Sequence, residues 1–287
     1  MDPTTETVTT MTTMNASTQT QPGTALITGA SSGIGAIYAD RFARRGHDLI
    51  LVARNTARLL EAAQRLHVET GRRVDILSAD LSTREGQALV EARLREDTRI
   101  DTLVNNAGFG AVAPLLQADV DHLTDMIEVN VTALTRLTYA AVPGFVARGR
   151  GTVINIASIV AIAPELLNDV YGGSKAFVLA FSQSLQHQLA DTGVRVQAVL
   201  PGATITEFWD VAGKSHQELP QEWLMTSDDL VDAALAGLDQ GETVTIPPLQ
   251  DGDEWTAYDA LRRKMSQGLS NTSPGKRYGL KAVADAA

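Results

Sequence analysis

The chain of 287 residues is 44% hydrophobic and 20% charged, which suits one soluble globular domain with a sizeable core. Its formal net charge of −10, from 34 acidic against 24 basic residues, repels polyphosphate and argues against nucleic-acid or anionic-membrane partners. No apolar run is long enough to span a bilayer, and the absence of cysteine excludes disulfides, thiol catalysis and cysteine-bound metal.

Met1 to Pro22 is rich in Thr, Ser and Gln and nearly free of apolar side chains, so residues 1–22 read as a disordered tail. The tail lacks the basic start and apolar core of a signal peptide and the arginines of a transit peptide, so a cytoplasmic protein is expected. The five histidines are scattered without metal-ligand spacing, and no metal site is expected.

The first predicted strand, Ala25–Thr28, runs into Thr28-Gly29-Ala30-Ser31-Ser32-Gly33-Ile34-Gly35, and a predicted helix, Ile34–Arg45, follows at once. Glycines allow a tight turn and close approach of a pyrophosphate, which the free N–H groups of the helix start then bind. Gly29, Ser31, Ser32, Gly33, Ile34 and Gly35 are therefore candidate cofactor residues. An ordinary glycine-rich turn is the competing reading of the glycines alone. The second predicted strand, Asp48–Ala53, ends in Arg54-Asn55 with no carboxylate, so Arg54 is expected to pair with the 2′-phosphate of NADP. Arg58, one turn further on, reads first as a solvated helix face and second as an assistant to Arg54.

Further along, predicted strands at Val74–Ala79, Thr102–Asn105, Thr152–Ala157, Val194–Val199 and Thr243–Ile246 alternate with helical patterns. Those helices are Thr56–Thr70, Arg84–Glu96, Val120–Ala147, Tyr171–Asp191 and Ser227–Gln240. Strict alternation of strands and helices predicts right-handed βαβ units. The fold class is an α/β, Rossmann-type, doubly wound parallel sheet with helices on both faces, in one domain over 23–261. After Leu261 the pattern fades, and residues 262–287 read as a surface extension.

Four residues carry candidate chemistry. Asn130 is expected to begin a long helix, Ser158 follows a strand, Tyr171 comes 13 positions later, and Lys175 is one helical turn beyond it. Reducing a ketone needs a hydride at carbon and a proton at oxygen. An ammonium beside a tyrosine lowers its pKa toward a useful range, and a serine can hold the carbonyl oxygen. Lys175 is also placed to bond the nicotinamide ribose. Each residue alone is weak evidence; their order after a phosphate loop is specific.

These motifs, from Gly23 to Ile246, resemble the short, single-domain branch of the short-chain dehydrogenase/reductase family. The resemblance implies a catalytic set of Ser158, Tyr171 and Lys175, with Asn130 holding a proton-relay water. It implies further cofactor contacts from Asp80-Leu81, Asn106-Ala107-Gly108, Pro201-Gly202 and Thr206, beside Tyr171 and Lys175. Ser32 is sometimes basic in NADP-using members, which leaves Arg54 as the principal reader of the 2′-phosphate. NADP(H) is the expected cofactor.

The segment Ala203–Met225 is expected to form a lid bearing Phe208, Trp209, Val211, Trp223, Leu224 and Met225, with Lys214 and His216 facing solvent. Ile159, Val160, Glu165 and Leu166 are candidates for the pocket lining. A small aldehyde, ketone or secondary alcohol is the favoured substrate. A 3-oxoacyl thioester is the second enzymatic reading, for which Arg41, Arg44 and Arg45 offer a local basic cluster. A non-catalytic NADPH-binding regulator is the third. The run Ala176–Phe181 is apolar around its whole circumference and calls for cover by a second subunit, so a homotetramer, or next a homodimer, is expected.

Overall fold

Seven apolar runs pair into one parallel sheet of order β3-β2-β1-β4-β5-β6-β7, in a computed structural model that describes residues 22–280. The strands are β1 (Thr24–Thr28), β2 (Asp48–Ala53), β3 (Val74–Ser78), β4 (Ile100–Asn105), β5 (Gly151–Ile156), β6 (Val194–Val199) and β7 (Val244–Thr245). The whole of β1 and the middle of β2 are buried, as strands covered on both faces must be. The expected tail lies, except for Pro22, outside the described residues.

Two helical layers give that cover. On one face α1 (Gly33–Arg44), α2 (Thr56–Thr70) and α8 (Ser227–Asp239) bury Tyr38, Phe42, Leu59, Leu66, Leu230 and Leu235 against the sheet. On the other, α3 (Arg84–Glu96), α5 (Leu134–Ala147) and α6 (Asp169–Gln188) contribute Val90, Leu94, Leu137, Phe145 and Leu185. Helix starts follow local chemistry: Asn55 Oδ1, Thr83 Oγ1 and Thr226 Oγ1 accept from backbone N–H groups of the first turns of α2, α3 and α8. The chain winds outward from β1 through β2 to β3, then returns to β4 on the other side. The crevice at the C-terminal ends of β1 and β4 is the place where such sheets bind ligands.

Buried polar bonds stitch that crevice together. Asn105 Nδ2 donates to Thr138 Oγ1 at 3.0 Å and to Asn155 Oδ1 at 2.9 Å, while Asn106 Nδ2 donates to the Thr28 carbonyl at 2.9 Å. The N–H groups of Asn106 and Ala107 both donate to Thr28 Oγ1 at 3.0 Å. The ends of β1 and β4 are thereby held in one arrangement.

Three expectations change. The helix over Val120–Ala147 is α4 (Val120–Ile127), a π turn over Glu128–Ala133, and α5. Asn130 therefore sits in the middle of this unit rather than at its start. Hydrophobic period does not register a widened turn, which costs only a local change in hydrogen bonding and recurs at functional sites. The chain past Ile246 forms α9 (Gly252–Ser266), so the fade expected at Leu261 falls inside a helix. Its Arg262-Arg263-Lys264 run resembles a loop but places basic side chains in the last turn, where a helix dipole favours them. The Arg41, Arg44 and Arg45 cluster is paired away: Arg41 with Asp40, Asp228 and Asp232, Arg44 with Asp40 and Glu69, and Arg45 with Asp239. It offers no free basic surface for an acidic carrier.

Tyr38 gives a stability test. Its ring is fully buried beside Phe42, and among the described residues its hydroxyl has no hydrogen-bond partner. Burial pushes its pKa far up, so the hydroxyl stays neutral. Tyr38→Phe removes an unpaired polar atom and is expected to raise unfolding stability by up to ~1 kcal/mol in urea titration. A loss of more than about 1 kcal/mol would mean that a buried water serves the hydroxyl. Among the described residues no helix is long and apolar enough to cross a membrane.

Candidate active site

A cleft of about 1260 Å³ runs along the C-terminal ends of β1, β2, β4, β5 and β6. Its walls include Gly29, Ser31, Ser32, Gly33, Ile34, Arg54, Asp80, Leu81, Asn106, Ala107, Gly108, Ser158, Tyr171, Lys175, Pro201, Gly202 and Thr206. The topology thus brings these expected site residues to one surface. Gly35 and Asn130 stand behind it.

At one end the glycine loop turns through Gly29, whose φ of +66° an L side chain rarely adopts. A Cβ on Gly35 would lie 2.3 Å from the Gly29 carbonyl oxygen and 2.5 Å from Asn106 Nδ2, so only glycine lets α1 begin this close to the loop. The N-cap Ser32 makes no side-chain capping bond, and the first turn of α1 has no acidic residue. The helix start is left as a set of N–H donors with its positive dipole end toward the cleft, which fits a pyrophosphate. Arg54 is exposed at the tip of β2. Against the upward pull of burial, hydrogen bonds from Ser82 and the charge of Arg54 hold the Asp80 carboxyl below its usual range. A positive group and a carboxylate thus share this end of the cleft.

At the other end lie Ser158, Tyr171 and Lys175, each 6–7% exposed. Asn168 sets the start of α6: its Oδ1 accepts from the N–H groups of Val170 and Tyr171, at 3.0 and 3.3 Å. Its Nδ2 donates to the Ala113 carbonyl at 2.7 Å, tying α6 to the facing loop. One turn along, Lys175 Nζ donates to the Ile156 carbonyl at 2.9 Å and lies 5.8 Å from the centre of the Tyr171 ring. The Tyr171 ring packs on Phe208 with centres 5.6 Å apart. A Cβ on Gly108 would stand 2.7 Å from Asn130 Oδ1 and 3.6 Å from Lys175 Nζ, so bare backbone keeps the floor open there. Asn130 clamps that floor from behind. Its Oδ1 accepts from the Phe109 N–H at 3.1 Å, and its Nδ2 donates to the Phe109 carbonyl at 2.9 Å and to Ser174 Oγ at 3.1 Å.

Burial sets the protonation states. It pushes Tyr171 up to about 12, opposed only by the Ser158 hydroxyl, and pushes Lys175 down to about 8. Loss of water disfavours the buried phenolate, which sets the direction at Tyr171. Tyr171 is a neutral acid at pH 7, and Lys175 is a cation poised to lose its proton.

Around Ser158 and Tyr171 the wall is largely apolar. Phe109, Val112, Leu115, Ile159, Val160, Leu166, Phe208, Trp209, Val211 and Trp223 line it, together with Lys214 and His122. Glu165, His216, Leu224 and Met225 do not; Met225 packs on the core instead. Trp209 is an anchor, buried and donating from Nε1 to the Thr204 carbonyl at 2.9 Å, whereas Trp223 is 65% exposed at the mouth. The stretch 109–125 and Asn168 are absent from the residues expected from sequence. Asn168 was detectable as an Asn-Asp N-cap pair; the stretch 109–125 carries no such signal.

The short chain dehydrogenase family matches residues 23–217. A short-chain dehydrogenase from Sphingobium yanoikuyae, solved in complex with NADPH, is 49% identical and superposes with a TM-score of 0.87 over 89% of this chain and 99% of that one. A bulky-bulky ketone specific alcohol dehydrogenase from Comamonas testosteroni is 44% identical, with a TM-score of 0.83 over 90% and 99% of the two chains. An NADP-dependent 3-hydroxy acid dehydrogenase from Salmonella typhi is 40% identical over 198 residues, 67% of this chain and 77% of that one.

Proposed function

Because the chain belongs to the short-chain dehydrogenase family and is an oxidoreductase of that family, we propose that it is an NADPH-dependent reductase of ketones, reversible as an alcohol dehydrogenase. The observation that carries this reading is the single cleft with Arg54 and the glycine loop at one end and Ser158, Tyr171 and Lys175 at the other. The NADPH complex of the Sphingobium relative supports a dinucleotide as the occupant.

Bound NADPH supplies the hydride for the carbonyl carbon. The Tyr171 hydroxyl gives its proton to the carbonyl oxygen, and the Ser158 hydroxyl donates a hydrogen bond to the same oxygen as charge develops there. Lys175 would hold the ribose of the bound coenzyme and stabilises the tyrosinate left behind. Asn130 and Asn168 fix the backbone around these groups, Asn130 from behind Phe109 and Asn168 at the start of α6. Asp80 and Leu81 would hold the adenosine part of the coenzyme, and Thr206, from the segment after Pro201-Gly202, would help to hold it in the cleft.

The substrate we infer is larger than the small carbonyl favoured by the sequence. Leu115, Leu166, Val211 and Trp223 are all more than half exposed around the mouth, above an aromatic interior of Phe109, Phe208 and Trp209. Walls of this kind gain most from covering apolar substituents on both sides of a ketone. The ketone preference of the Comamonas relative supports this reading. We further propose a cytoplasmic homo-oligomer, a tetramer or a dimer. Phe177, 39% exposed, and Tyr139, 67% exposed, both stack with Phe181 across α5 and α6 and leave an aromatic face for a second subunit to cover.

Coenzyme selectivity tests the assignment. Arg54→Ala is expected to raise the KM for NADPH by about 10- to 100-fold, the worth of one charge-assisted bond to phosphate, and to leave the KM for NADH within about threefold. Equal losses with both coenzymes would place the 2′-phosphate elsewhere.

A further inference from the structure

Arg58 and Glu207 face each other although 149 positions separate them, with Arg58 Nη1 donating to Glu207 Oε2 at 2.7 Å. Both line the cleft. Arg58 stands in the first turn of α2, where its N–H is held by the side chain of Asn55 at 3.1 Å. Glu207 is the N-cap residue of α7 (Phe208–Ala212), on the segment that follows Pro201-Gly202. That segment also meets the glycine loop, since a Cβ on Gly33 would come within 3.1 Å of Thr206 Cγ2. Arg58 first, and the Ser32 hydroxyl to a smaller extent, hold the Glu207 carboxyl below its usual range. The segment after Pro201-Gly202 thus meets both α2, through Glu207, and the glycine loop, through Thr206, at the groove.

The pair is half exposed, 49% and 57% at the two side chains, and an exposed pair adds under about 1 kcal/mol to folding. Its position gives it another use. We infer that Glu207 is a positioning residue for the coenzyme: with Arg58 it forms a strap over the dinucleotide groove that must open before the coenzyme leaves. The inference rests on the reading of this groove as the NADPH site. It assigns Arg58 to the strap rather than to the 2′-phosphate, so retention is the same with or without that phosphate.

The test is the release rate of NADPH and of NADH, each followed by loss of bound nicotinamide fluorescence after rapid mixing with excess NADP. In Glu207→Gln, which keeps the size of the side chain, both coenzymes are expected to leave about fivefold faster, the kinetic equivalent of one exposed ion pair. Glu207→Asp restores the charge and is expected to fall between the two. Release unchanged in Glu207→Gln overturns the strap. So does selectively slower NADPH release, which would mean that Arg58, once freed, reads the 2′-phosphate. Failure of the parent protein to bind NADPH would instead remove the underlying reading of the groove.

Discussion

Tyr171→Phe is expected to lower turnover about a thousandfold while NADPH still binds within about threefold of its original affinity, since a positioned general acid contributes about 10²–10⁴. The substitution removes one oxygen and leaves the ring against Phe208. The proton for the carbonyl oxygen then has no donor, because Ser158 can hydrogen-bond that oxygen but has no route to replace a lost proton. Steady-state rates beside a fluorescence titration of NADPH measure both effects. Turnover within tenfold of the parent contradicts the role of Tyr171. Retained biological activity in a variant that no longer turns over would instead favour an NADPH-binding regulator.

Lys175→Met is expected to lower activity by about 10²-fold or more and, at pH 7, to make the protein more stable. In the unfolded chain the lysine keeps its proton to about 10.5, whereas burial in the fold brings that point down to about 8. Between those values the unfolded state binds more protons, so this group's contribution to stability rises with pH. Below pH 8 the full cost of burying the ammonium stands, about 3 kcal/mol at 1.36 kcal/mol per pKa unit. Methionine removes that cost but also the bond to the Ile156 carbonyl, about 1–2 kcal/mol, leaving a net gain of roughly 1–2 kcal/mol. Urea unfolding at several pH values checks it. The gain should shrink from pH 8 upward, cross zero at about pH 9–10 and turn into a loss of about 1–2 kcal/mol by about pH 10.5, where only the missing bond to Ile156 counts. A variant less stable at pH 7, or a difference independent of pH, contradicts the buried ammonium. A site that keeps a destabilising cation is one where function outweighs stability.

The parts of the fold that were legible in the sequence are those fixed by local chemistry. β1 followed by Gly29 to Gly35 could be read because a strand, a positive-φ turn and a helix start each have their own residue requirements. Tyr171 and Lys175 could be read because helix period alone puts them on one face. The π turn at Asn130 was hidden, since inserting one residue into a turn leaves the apolar pattern on either side intact. Helix α9 was hidden for a different reason: none of its residues is buried, so no apolar stripe marks it. The Arg58–Glu207 pair depends on where α2 and the lid segment meet in space, and each residue alone looks like an ordinary surface charge. The depth of burial that raises the Tyr171 pKa is not displayed by the sequence, which shows only the neighbouring lysine.

The most direct measurement is NADPH consumption by the purified protein with a graded series of ketones, from small aliphatic to those with large apolar groups on both sides, with NADH in parallel. NADPH oxidation is expected to grow with the bulk of the ketone and to be at least about tenfold slower with NADH, in keeping with one phosphate contact at Arg54. Equal rates with the two coenzymes, or bound NADPH with no oxidation by any member of the series, would contradict it.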